Sequence, residues 1–103
     1  MELAHVSEVT IAVEKSPSVQ VSVQIDGELP NGCYQLEEPA VMREGSTFTI
    51  VLAQRVLQTF TFCTQALEPF TLFVPLTVKD LPVGHYAVVV NGIQSGFDLD
   101  VNN

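Results

Sequence analysis

Between Ser18 and Ile25 every second residue is apolar and β-branched: Val19, Val21, Val23 and Ile25 alternate with Gln20, Ser22 and Gln24. Successive side chains of an extended chain point to opposite faces, so this pattern makes a strand with one oily and one wet face. A helix would scatter the same four residues around its axis. The oily face must be covered, and the rest of the sequence shows by what. The same period of two recurs along most of the chain, and almost nothing recurs at helical spacing.

Seven extended segments follow from that pattern. Val9, Ile11 and Val13 alternate with Glu8, Thr10 and Ala12 until Pro17, which has no N–H for a sheet ladder. The segment Ser18 to Ile25 is closed by Asp26 and Gly27, and a loop with Pro30, Asn31 and Gly32 leads to a third strand from about Cys33 to Arg43, with Pro39 marking an edge or bulge. Glu44, Gly45 and Ser46 turn the chain into Thr47 to Gln54, whose Phe48, Ile50 and Leu52 face one way. Phe70 to Val78 alternates again, with Pro75 placing it on an edge. Tyr86 to Val90 and Ile93 to Val101 form a hairpin around Asn91 and Gly92, residue types that accept positive φ at both positions of a two-residue turn.

Seven short strands with turn signals every ~8–12 residues predict an all-β, immunoglobulin-like antiparallel β-sandwich, with a small barrel as the alternative. Residues 1–103 are expected to form a single domain, since this length leaves no room for a second core. The run Leu81-Pro82-Val83-Gly84-His85-Tyr86 resembles a tyrosine corner, which gives Tyr86 a structural role. With the strands lettered A to G, Cys33 follows the B–C loop and Cys63 lies in the D–E connection, at one end of the sandwich. The two can meet as a disulfide, or stand as two separate thiols.

Charge narrows the partners. Twelve acidic residues face four basic ones, Lys15, Arg43, Arg55 and Lys79, for a net charge of −8. Nucleic acids and anionic membranes bind through clustered cations, so neither is expected as a partner. No stretch approaches the ~20 apolar residues of a membrane-spanning helix, and no basic region with an apolar run and cleavage site opens the chain. It reads as soluble and leaderless, either cytoplasmic or a mature domain headed by an added Met1.

Chemistry-bearing constellations are scarce. His5 and His85 have no nucleophile or ligand partner at informative spacing. Asp98, Asp100 and Asn102 share one face of the last strand, but calcium draws six or more oxygens from a folded loop, so no metal site is assigned. Phosphate loops, nucleophile elbows and zinc motifs are missing, and neither enzymatic activity nor a cofactor is expected. The D–E connection, Arg55 to Pro69, is unusually apolar for a surface loop, with Val56, Leu57, Phe60, Phe62 and Leu67. Exposed apolar patches mark contact sites, so Val56, Leu57, Phe60 and Phe62 are candidates for binding a protein partner or a second copy. The alternative is that they tuck under the sandwich as a plug or extend strands D and E, with Phe60 and Phe62 joining the core.

Four stretches carry a family resemblance: Gly27-Glu28-Leu29-Pro30-Asn31-Gly32-Cys33, Arg43-Glu44-Gly45-Ser46-Thr47-Phe48-Thr49, Cys63-Thr64-Gln65-Ala66-Leu67-Glu68-Pro69-Phe70, and Leu81 to Tyr86 continuing through Val90-Asn91-Gly92. On these the chain resembles a small immunoglobulin-like domain of unknown function found in bacterial secreted proteins and lipoproteins. The resemblance implies paired cysteines and an extracytoplasmic location, whether secreted, periplasmic or lipid-anchored. It brings no catalytic motif. The function expected is a non-catalytic binding or accessory module. The alternative is a proteinase inhibitor presenting the loops at 28–35, 55–69 and 91–92, although the Gly-rich or Trp-bearing loops of such inhibitors do not occur.

Overall fold

The computed structural model describes residues 2–15, 18–57 and 62–100, and all the regular structure among them is extended. Ten strands follow in chain order: β1 (Glu2–Leu3), β2 (His5–Glu14), β3 (Gln20–Leu29), β4 (Tyr34–Leu36), β5 (Ala40–Glu44), β6 (Thr47–Val51), β7 (Ala53–Val56), β8 (Glu68–Leu76), β9 (Gly84–Val90) and β10 (Ile93–Leu99). They pair into three sheets, in the orders β2-β3-β8, β10-β9-β6-β5 and β1-β7-β4.

The first two sheets face each other, and their core is made of the alternating residues. Val21, Val23 and Ile25 of β3 and Val74 and Leu76 of β8 meet Phe48 and Ile50 of β6, Val88 and Val90 of β9, and Phe97 and Leu99 of β10. Burying each such side chain stabilises the fold by about 1.5–3 kcal/mol. Phe48, Tyr86 and Phe97 form an aromatic cluster, with the rings of Tyr86 and Phe97 stacked at 5.5 Å. This is an all-β sandwich, as the period of two requires.

The expected seven strands become ten, for local reasons. The strand expected to stop at Ile25 runs on to Leu29, with Asp26 and Gly27 inside it. Gly27 lies between Val6 and Phe70, and a Cβ there would collide with the His5 carbonyl oxygen and come within 2.6 Å of Phe70 Cζ. The glycine serves close backbone approach, not a turn. The third expected strand splits into β4 and β5, which belong to different sheets, with Glu37, Glu38 and Pro39 between them. Thr47 to Gln54 likewise divides at Leu52, whose side chain is fully buried: β6 stays in the sandwich and β7 leaves for the small sheet. The two-residue strand β1 was not predicted. Pro17 and Val101, expected at strand ends, lie outside the described residues.

One pairing departs from the antiparallel expectation. β6 runs parallel to β9, from Thr47 opposite Ala87 to Ile50 opposite Val90, and β5 lies outside it. An immunoglobulin-type order would set an antiparallel strand there. Pro75 does sit on an edge strand, since among the described residues β8 pairs only with β3.

The small sheet closes one end. β1 continues into β2 across Ala4, and β6 into β7 across Leu52, so a strand from each face of the sandwich pairs with the other beyond the core. The result is an elongated body, 52 × 24 × 18 Å.

Candidate functional site

Ala4 and Leu52, the two corners, are held by one side chain. Asn91 Nδ2 donates to the Ala4 carbonyl at 2.9 Å and to the Leu52 carbonyl at 2.8 Å, while its Oδ1 accepts from Leu52 N–H at 2.8 Å. Ala4 N–H also donates to the Leu52 carbonyl. The sequence pattern gave Asn91 only the β9–β10 turn, where its φ is +47° and that of Gly92 is +88°. Its side-chain role went unread, because a turn asparagine looks the same whether its amide faces water or the next sheet.

Beyond these corners the small sheet carries the disulfide. Cys33 and Cys63 are bonded, with Cα atoms 5.3 Å apart. Three hydrogen bonds fix the surrounding chain: Asn31 Oδ1 accepts from Cys33 N–H at 2.8 Å, Leu57 N–H donates to the Cys33 carbonyl at 2.7 Å, and Gly32 N–H donates to Thr64 Oγ1 at 2.9 Å. A Cβ on Gly32 would lie 2.7 Å from that same Thr64 oxygen, so a larger residue there would have to displace the hydroxyl. Polar partners surround the sheet: Gln54 Nε2 donates to Glu2 at 2.6 Å, and Arg55 lies 3.9 Å from Glu37.

The apolar residues expected in this connection divide as follows. Val56 pairs with Tyr34, one residue from Cys33, yet more than half its surface is exposed; Leu57 is more than one-third exposed. Phe62, the chain neighbour of Cys63, is fully exposed at 104%, and Leu67 is 61% exposed. Phe60 lies outside the described residues. The described members of this group do not tuck into the core, although the flanking strands reach further into the connection than expected, β7 to Val56 and β8 from Glu68. Leu3, on β1, adds a further exposed apolar side chain to the same small sheet.

The remaining singled-out residues are engaged in structure. Tyr86 OH donates to the Pro82 carbonyl at 2.7 Å, the bond of a tyrosine corner. Asp98 meets His85 Nδ1 at 2.8 Å, and Asp100 meets Lys15 Nζ at 2.6 Å, both on the surface. The Lys15 ammonium, by hydrogen bond and by charge, holds the Asp100 carboxyl below its ordinary value. Asp98 and Asp100 thus each face a different basic group, and Asn102 lies outside the described residues.

The geometry is that of a disulfide-tied β-sandwich with an apolar end. A family model described as the ORF11 beta-sandwich domain matches residues 23–99, and the chain belongs to that family. Among similar proteins, an uncharacterized 10.2 kDa protein in the HgiCIIM 5′ region of Herpetosiphon aurantiacus is 29% identical over 94 residues, 91% of this chain and 98% of the relative. Two more from that organism, in the HgiBIM and HgiEIM 5′ regions, are each 30% identical over 80 residues, 78% of this chain and 95% of theirs. Their names mention neither secretion nor lipid attachment. No solved structure matches the chain.

Proposed function

We propose that this protein is a non-catalytic binding or accessory module that works outside the cytoplasm and contacts a protein partner or a second copy through its disulfide-tied end. The observation that carries the reading is Phe62, fully exposed beside a bonded cysteine, with Val56 at the end of β7 and Leu57 just beyond it also exposed. A cross-linked backbone has less main-chain entropy to lose when its exposed apolar side chains are covered, which favours contact. The disulfide is compatible with an oxidising compartment, and among the described residues no helix is long and apolar enough to cross a membrane. The inhibitor reading draws less support, because Asn91, in one of its three loops, turns its side chain inward.

The test compares the oxidised wild-type protein with a Val56→Asp/Phe62→Asp variant. Analytical ultracentrifugation reads self-association, and cross-linking in the envelope and secreted fractions of the source organism reads partners. The expected result is an association present in the wild type and lost in the variant, with an unchanged circular dichroism spectrum. Equal behaviour of the two proteins would reject this surface. Inhibition across a protease panel would move the assignment to the alternative.

A further inference from the structure

Among the described residues, the sandwich is closed along one side only. Its β2 and β10 edges are clasped by the Lys15–Asp100 ion pair, whereas β5 and β8 are the outer strands on the other side. These two free edges are built differently. Pro69 and Pro75 of β8 share one parity, and alternate residues of a strand direct their N–H groups to the same neighbour. Turned away from β3, where a proline would delete a ladder bond, they leave only Thr71 and Phe73 as donors along the free edge. β5 has no proline between Ala40 and Glu44, and all five of its residues are exposed. It is a strand open to addition.

A groove of about 290 Å³ runs between β5 and the chain that leaves β8. Val41, Arg43 and Phe48 line one wall, and Pro75, Lys79 and Leu81 the other. No carboxylate lines it; Glu14 and Asp80 line the neighbouring groove across Lys79. This is the unusual feature in a chain of net charge −8. Of its four cations, Lys15 is bound to Asp100 and Arg55 faces Glu37. Arg43 and Lys79 meet no carboxylate within ion-pair distance among the described residues, and both line this groove. In a chain of net charge −8, these two cations give the groove an attraction for an anion.

We propose that the free edge of β5 accepts an extended, acidic segment of a partner protein as an added strand. Main-chain pairing to β5 supplies the attachment, and the groove reads alternate side chains. Val41 and Arg43 sit two residues apart on one face of β5. A strand laid beside them presents an apolar residue to Val41, Phe48 and Leu81, and two positions on a carboxylate to Arg43 and Lys79. The motif is apolar, any residue, acidic. This surface is separate from the disulfide-tied end, so each can fail without the other.

The test is an NMR titration of isotope-labelled protein with two synthetic peptides, Thr-Val-Thr-Glu-Thr-Val-Thr and its counterpart with Lys in place of Glu. The acidic peptide is expected to shift the amides of residues 40–44 and those of Lys79 and Leu81, to bind roughly tenfold more tightly than the basic one, and to weaken as salt is raised. Arg43→Glu with Lys79→Glu, both on exposed side chains, is expected to invert the preference while leaving the remaining amides in place. Equal binding of the two peptides, no shift at millimolar peptide, or shifts centred on β8 or β10 would overturn the proposal. So would concentration-dependent shifts of the β5 amides without peptide, which would give the edge to a second copy.

Discussion

Replacing Asn91 tests whether one amide holds the two corners of the sandwich together. Asn91→Ala removes three hydrogen bonds, leaving Leu52 N–H without its acceptor and the Ala4 carbonyl without its donor, while the Leu52 carbonyl keeps Ala4 N–H. At a net ~1 kcal/mol per bond, and somewhat more for groups left partly buried and unpaired, the amide accounts for about 2–3 kcal/mol. The φ of +47° adds a second cost, because alanine lacks the polar side chain that lets asparagine tolerate the left-handed region and enters it at roughly 1 kcal/mol. Asn91→Gly separates the two: it loses the bonds and keeps the conformation. The expected losses are therefore about 3–4 kcal/mol for alanine and about 2–3 kcal/mol for glycine. The chain has no tryptophan, so urea unfolding is best followed by far-ultraviolet circular dichroism. With a slope of ~1.5 kcal/mol per molar urea, the alanine midpoint falls by roughly 2 M. If both variants unfold within about 0.5 kcal/mol of the wild type, the corners are held by packing and the reasoning fails. If alanine and glycine lose the same amount, the conformational part of it is wrong.

Three further outcomes follow from the same structure. Reducing Cys33–Cys63, or replacing both by serine, opens a loop with a sequence separation of 30 and is expected to remove about 3–4 kcal/mol, read as the difference between oxidised and reduced urea midpoints; coincident midpoints would contradict it. Gly27→Ala sets a methyl group against the His5 carbonyl and the Phe70 ring, and the backbone oxygen cannot swing aside. A loss of at least ~2 kcal/mol in thermal unfolding is expected, and a neutral result would show that β2 is not held this close to β3. Asp100→Asn is expected to destabilise near neutral pH and to match the wild type in strong acid. The folded-state carboxyl sits below its ordinary 3.8, so its contribution is complete above that value and fades as pH falls through the lowered one. A gap between the two proteins that stays constant down to roughly pH 2 would sink this account.

The sandwich was legible because each of its main strands carries its own alternation: Val21, Val23 and Ile25, or Val88 and Val90, are buried for the reason their spacing gives. What escaped is partner choice, which no segment encodes by itself. Gly27 reads as a turn until the His5 backbone lies against it. Leu52 reads as one more inward residue of a single strand, although it is where the chain changes sheets. The parallel registration of β6 on β9 depends on residues far away in sequence, so the antiparallel default prevailed. At the candidate site, the apolar surplus of residues 55–69 was visible as composition, and the exposure of Phe62 came only from the fold. Arg43 and Lys79 count in the sequence only as two of four cations, since thirty-odd residues separate them along the chain.

That parallel pairing also sets the order in which the chain becomes safe from its own surface. The β9–β10 hairpin closes locally around Asn91 and Gly92, on a timescale of roughly microseconds. Phe48 and Ile50 must wait for partners about forty residues further on. During synthesis at ~5–20 residues per second, that interval lasts roughly 2–8 s. Through it the β5–β6 hairpin shows bare valine, phenylalanine and isoleucine to whatever lies near the ribosome. A nascent chain halted between Ile50 and Val90 is thus the form of this protein most in need of a chaperone.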